Sequence, residues 1–179
     1  MEKRSNKQKI FEIMCRLDKT FKPKLNEEVE TSDEKDGNKN ISSEEKSEKK
    51  GYHINIEQET VNNNSFRKVL YTATNIQLVL MSLKPGEEIG EEVHQDIDQF
   101  FRIDSGNGKC IINGNEYELT NGSAIIVPKG SKHNIINNGN EPLKLYTIYS
   151  PPNHKDGVEF KTKEEASQSE EKFDGNTTE

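Results

Sequence analysis

Cysteine is nearly absent, with only Cys15 and Cys110 in 179 residues. One lies in the N-terminal stretch and one in a strand-like run, a pattern that does not fit a disulfide-stapled secreted domain and favours a reducing compartment. Long apolar runs are missing too. No segment approaches the ~20 consecutive apolar residues that span a bilayer, and the N-terminus lacks the apolar region of a secretory signal. Glu2, Glu12 and Asp18 also weigh against a mitochondrial presequence. A soluble, cytoplasmic protein is expected. The net charge is -7, and no Lys/Arg stripe offsets it in the apolar half of the chain, which excludes nucleic acid as a general partner. There is no Gly-rich phosphate loop, no Ser or Cys in a nucleophile setting and no CxxC pair. Ser105-Gly106-Asn107-Gly108 is glycine-rich but lies between strands and not before a helix, so it reads as a turn.

What is present is unevenly spread. Hydrophobic residues make up 29% of the chain and charged residues 32%, yet residues 26 to 50 hold only Val29 and Ile41 as sizeable apolar side chains. That stretch cannot offset the entropy of ordering itself and is expected to be disordered. Ahead of it, Ile10, Ile13, Met14, Leu17 and Phe21 recur at helical spacing and predict one amphipathic helix over 8–21, ending before Pro23. Its apolar face packs on its own domain, on a partner or on a membrane surface. Residues 1–50 therefore form an N-terminal extension, 51–152 a compact domain and 153–179 a C-terminal tail.

From Gly51 onward, short β-type runs alternate with turn residues. Strands are expected at Tyr52–Ile56, Phe66–Thr72, Ile76–Leu83, Gln99–Asp104, Lys109–Ile112, Tyr117–Thr120, Ala124–Val127, His133–Ile136 and Leu143–Tyr149. Asn113-Gly114 predicts a tight hairpin, because a type I′ turn needs positive φ at both central residues. Pro151-Pro152 ends the last strand. A turn of helix around Lys161 to Ala166, followed by fraying, is expected in the tail. Many short strands with tight turns give an all-β barrel or sandwich.

Two stretches carry chemistry. The first runs Gly86, five residues, Glu92, one residue, His94, four residues, Gln99, six residues, Gly106. The second runs Gly122, five residues, Pro128, one residue, Gly130, two residues, His133, three residues, Asn137. These spacings resemble the two signature motifs of the cupins, small jelly-roll β-barrels that usually hold one metal ion through two His and an acid from the first motif and one His from the second. The second motif matches at each fixed position; in the first, Glu92 stands at the usual first His and Gln99 at the usual acid. The resemblance then implies Glu92, His94, Gln99 and His133 as ligands of one divalent metal ion per chain, zinc or manganese, with iron an alternative. Type I phosphomannose isomerases also hold zinc with a Gln, a Glu and two His. In an extended strand Glu92 and His94 share a face while Glu91 and Val93 take the other, which favours Glu92 over Glu91. The competing reading is a metal-free barrel in which both His are simply hydrogen-bonded.

Phe101, two residues beyond Gln99, is expected to share its inward face and wall an apolar substrate pocket. Glu87, Glu88, Glu91, Asp96 and Asp98 are expected to form a solvated acidic face. Together with the ending "YSPPNHKDG", the motifs are similar to those of stand-alone cupins named mannose-6-phosphate isomerase-like. This implies a metal-dependent, isomerase-like enzyme acting on a small sugar-like or hydroxylated metabolite, working as a homodimer. A non-catalytic small-ligand- or metal-binding cupin, an interaction module and an iron-dependent dioxygenase are the alternatives.

Overall fold

The structure, a computed structural model, describes residues 48–179. The helix expected over 8–21 and most of the linker after it lie outside the described residues. The elements in chain order are α1 (Ile56–Asn62), β1 (Arg67–Thr72), β2 (Gln77–Leu83), β3 (Glu92–Val93), β4 (Asp98–Ser105), β5 (Gly108–Ile112), β6 (Asn115–Leu119), β7 (Ala124–Val127), β8 (Lys132–Ile136), β9 (Leu143–Ser150), β10 (Glu159–Phe160) and α2 (Lys163–Gln168). They build two antiparallel sheets, β10-β1-β2-β9-β4-β7 and β3-β8-β5-β6. The all-β jelly roll expected from the sequence is the fold observed.

The core fills the space between the sheets. Val79, Met81 and Leu83 alternate inward from β2, and Leu143, Leu145 and Tyr149 do so from β9, meeting Phe101, Ile103, Cys110, Leu119, Val127 and Ile135. Each such burial contributes roughly 1.5–3 kcal/mol. The turn signals act as expected. Asn113 (φ 49°) and Gly114 (φ 83°) close the β5–β6 hairpin, with Ile112 opposite Asn115. At Gly106 (φ 85°) a Cβ would lie 2.5 Å from the Pro142 carbonyl oxygen, so only glycine fits where β4 turns into β5.

Two expectations fail. Tyr52–Ile56 is not a strand: the Asn55 side chain accepts a hydrogen bond from the Gln58 N–H at 3.2 Å and caps α1. The cap outweighs the alternation of Tyr52, Ile54 and Ile56. Helix α1 then lies across the outer face of the β2–β9–β4 sheet, where the Lys144 ammonium donates to the Asn63 carbonyl and to Asn64 Oδ1. The tail also does not fray beyond its helix. Phe173 N–H donates to the Asn153 carbonyl at 3.0 Å, and Thr178 exchanges bonds with the Thr72 backbone at 2.8 and 2.9 Å. These partners are far away in sequence, so local composition does not reveal them.

Candidate metal centre

The two motifs run side by side. Glu92 in β3 stands opposite His133 in β8, Ile89 N–H donates to the Ile135 carbonyl, and Gly130 N–H donates to the His94 carbonyl at 2.7 Å. Asn137, which closes the second motif, is a clamp: its amide donates to the Leu83 and Glu141 carbonyls at 2.9 Å each. The other sheet supplies Gln99, directly opposite Tyr149 on β9. The candidate donors therefore come from both sheets and face the space between them.

The donor atoms converge. One donor atom each from Glu92, His94 and His133 falls within 4.8 Å of the others, and Gln99 Oε1 lies 3.1 Å from His133 Nε2. Glu91 points the other way, to Lys132 Nζ at 2.7 Å in solvent. His133 is 2% and Gln99 1% exposed. Burial pushes the Glu92 carboxyl up, but the His94 ring beside it and the Arg67 guanidinium outweigh this and hold it below the usual carboxylate range. Burial holds the His133 imidazole below its usual value, so the ring is neutral at pH 7.

The hydrogen bonds around these rings are incomplete in a way that a cation would repair. His133 Nδ1 lies 3.1 Å from the Ser131 carbonyl and Nε2 lies 3.1 Å from Gln99 Oε1, so both ring nitrogens face oxygen acceptors. A neutral imidazole has one N–H. With that proton on Nδ1, bonded to Ser131, the lone pairs of Nε2 and Gln99 Oε1 converge. The Gln99 amide nitrogen is held by the Thr147 hydroxyl at 3.0 Å; turning the amide over would satisfy a metal-free ring. His94 Nε2 is buried without a hydrogen-bond partner, 3.3 Å from Glu92 Oε2 but misaligned for a bond. Nδ1–H on a backbone carbonyl with the other nitrogen unclaimed is the arrangement of a metal-ligating His. The residues present fit a divalent cation.

Phe101, expected as a pocket wall, packs inward from β4. It is fully buried and backs the His133 ring at a centroid distance of 6.1 Å. The acids behave as a solvated, structural face: Glu87 bonds the Lys84 N–H, Glu88 takes the Asn134 amide, and Asp98 accepts from Lys129 N–H.

A cavity of about 440 Å³ adjoins the donors, lined among others by Phe66, Arg67, Glu92, His154, Glu171 and Lys172. Sequence reasoning missed Arg67, His154, Glu171 and Tyr149. The "SPPNH" ending was the only signal for one of them. The His154 backbone is pinned by the buried Gln77 amide at 2.7 and 2.9 Å. Its ring stands edge-on to Tyr149 at 5.0 Å and bonds Glu171 through Nδ1 at 2.9 Å. Burial lowers the His154 pKa more than Glu171 raises it. At Glu171 burial acts upward, but bonds from His154 and Lys155 N–H bring the carboxyl below its usual range. Burial raises the Tyr149 phenol and keeps it protonated.

Strands wound into two facing sheets, with a carboxylate and two imidazoles gathered between them, define a double-stranded β-helix protein with a candidate metal site. The chain belongs to the cupin superfamily: the cupin domain model matches residues 79–149. It is 46% identical over 123 residues to the uncharacterized protein YrkC of Bacillus subtilis, an alignment covering 65% of this chain and 66% of that one. It is also 46% identical over 110 residues to protein L612 of Acanthamoeba polyphaga mimivirus, covering 59% of this chain and 69% of its relative. The chain thus spans about two thirds of these relatives. The crystal structure of BH2720 from Bacillus halodurans is similar at 40% identity and a TM-score of 0.65, over 66% of this chain and 94% of that one.

Proposed function

We propose that the protein holds one divalent metal ion, zinc or manganese, through Glu92, His94 and His133 with the Gln99 amide oxygen as fourth donor. It uses that site for isomerase-like chemistry on a small hydroxylated metabolite. The observation that carries the reading is the pair of imidazole nitrogens left without donors or acceptors of the right kind, His94 Nε2 and His133 Nε2, beside one carboxylate. A bound divalent ion would supply Lewis acidity to polarise a substrate carbonyl or hydroxyl pair. The chain's own residues do the rest. Ser131 fixes the His133 tautomer, Thr147 aims the Gln99 oxygen, and the cavity beside Glu92 accepts the small molecule. His154, steadied by Glu171, is the group on the cavity wall suited to take or return a proton: with Nδ1–H on Glu171, its neutral ring keeps a basic Nε2, which accepts from the Asn153 amide at 3.3 Å.

Metal analysis of protein purified without added metal tests the reading. About one zinc or manganese per chain is expected, falling to near zero in His133→Ala. Unchanged metal content in that variant would show the ligand assignment to be wrong, and iron in its place would favour oxygenation.

A further inference from the structure

The cavity beside Glu92 contains a cation, Arg67, whose side chain makes no hydrogen bond among the described residues and has only a 3.6 Å ion pair to Glu171. Arg67 opens β1, and its side chain is only 12% exposed. A guanidinium carries five N–H donors, yet among the described residues the Arg67 side chain makes no hydrogen bond, and its Nε is fully buried and unpartnered. Its nearest carboxylate, Glu171, stands 3.6 Å from Nη1 and is already engaged by His154 Nδ1 at 2.9 Å and Lys155 N–H at 2.9 Å. The Phe66 ring lies 5.9 Å from the Arg67 Cζ and covers one face of the group. Leaving a buried charged donor unmade costs more than leaving a neutral one, so the arrangement calls for an acceptor that arrives from outside.

We propose that Arg67 is the anion subsite of this cavity and that its ligand is the carboxylate of a small hydroxy- or keto-acid. The planar fork of arginine matches a carboxylate with two parallel N–H···O bonds. Glu92 and Glu171 line the same cavity, so each further negative charge on the ligand adds repulsion, and a monoanionic carboxylate fits where a phosphate dianion does not. Lys172 on the rim adds attraction. A volume of about 440 Å³ suits a small molecule and not a polymer end. With the carboxylate on Arg67, the rest of the ligand extends toward Glu92 and His94, which puts a hydroxyl or carbonyl at the candidate metal site. This orientation rests on the metal-centre reading; the carboxylate contact itself does not.

The test titrates glycolate, lactate, pyruvate and malonate, with inorganic phosphate and uncharged glycerol as controls, into the full chain by calorimetry. Both chelator-stripped and cobalt(II)-loaded protein are used. At least one monocarboxylate is expected to bind saturably at millimolar concentration or below, at least tenfold more weakly to Arg67→Gln and also more weakly to Arg67→Lys, which lacks the fork. Cobalt stoichiometry and visible spectrum should stay as in the wild type. Glu171→Gln, which keeps the hydrogen-bonding shape but removes a competing charge, should tighten carboxylate binding several-fold and serves if the Arg67 variants fail to fold. Carboxylate binding unchanged in Arg67→Gln, weakened in Glu171→Gln, weaker than phosphate binding, or absent for all four acids overturns the proposal. Failure of the wild type to take up cobalt overturns the metal reading alone, because the stripped protein still reports on Arg67.

Discussion

Three histidines and two carboxylates, Glu92 and Glu171, around one space make proton occupancy the variable that matters for individual residues. His154 has a depressed folded pKa against an ordinary value of 6.5, so its contribution to stability is present above about pH 6.5 and is lost as pH falls. Glu171, depressed from 4.5, adds stability that is complete above that value and is lost at still lower pH. Thermal denaturation followed by circular dichroism should therefore show a Tm that is flat from about pH 8 to 7 and declines below about pH 6.5, more steeply below about 4.5. In His154→Asn the first decline should shrink. An unchanged decline would place its cause elsewhere. The same direction holds for metal retention, because imidazole and carboxylate donors must shed their protons to ligate.

Among the elements, α1 and the strand that carries it show where local sequence succeeds and where it stops. The alternation of apolar residues in β2 and β9, the Asn113-Gly114 turn and the spacing of the two motifs were all readable, because each follows from a fixed period or a fixed φ. Tyr52–Ile56 misled because two-residue alternation is also compatible with the lead-in to a helix, and the deciding interaction is the single Asn55 cap. The role of Lys144 is set by the fold and not by any local pattern. In the fold it lies under α1, bonded to Asn63 and Asn64, and is 8% exposed. Lys144→Ala should leave the Asn63 carbonyl buried without its partner and cost about 1–3 kcal/mol in urea unfolding, with metal content unaffected since β9 contributes no donor. A loss below about 0.5 kcal/mol would mean that α1 is held by its apolar contacts.

For the molecule as a whole, the candidate donors were legible because the two motifs are local patterns, whereas the cavity was not. Arg67 lies on β1, His154 follows β9 and Glu171 follows α2; only sheet pairing and the return of the tail along β1 bring them together. The tail, too polar to predict as ordered, is held by bonds to Thr72, Asn153, His154 and Lys155. Truncation after Ser169 removes all of these. It should lower Tm by about 3–4 °C for each kcal/mol lost and abolish carboxylate binding, while one metal ion per chain remains. A truncated chain with undiminished carboxylate affinity would show that the tail walls the cavity without shaping it.

The bond between Thr72 and Thr178 joins positions 106 residues apart. Contacts of such long range form late, after the loop-closure entropy has been met by nearer pairings. During synthesis every strand of both sheets, and with them Glu92, His94, Gln99 and His133, emerges before the segment that completes the pocket. On the proposed function, a nascent chain would gather its candidate metal donors first and complete the proposed ligand pocket only at the end, so that an unfinished copy could capture an ion without exposing a working site to metabolites.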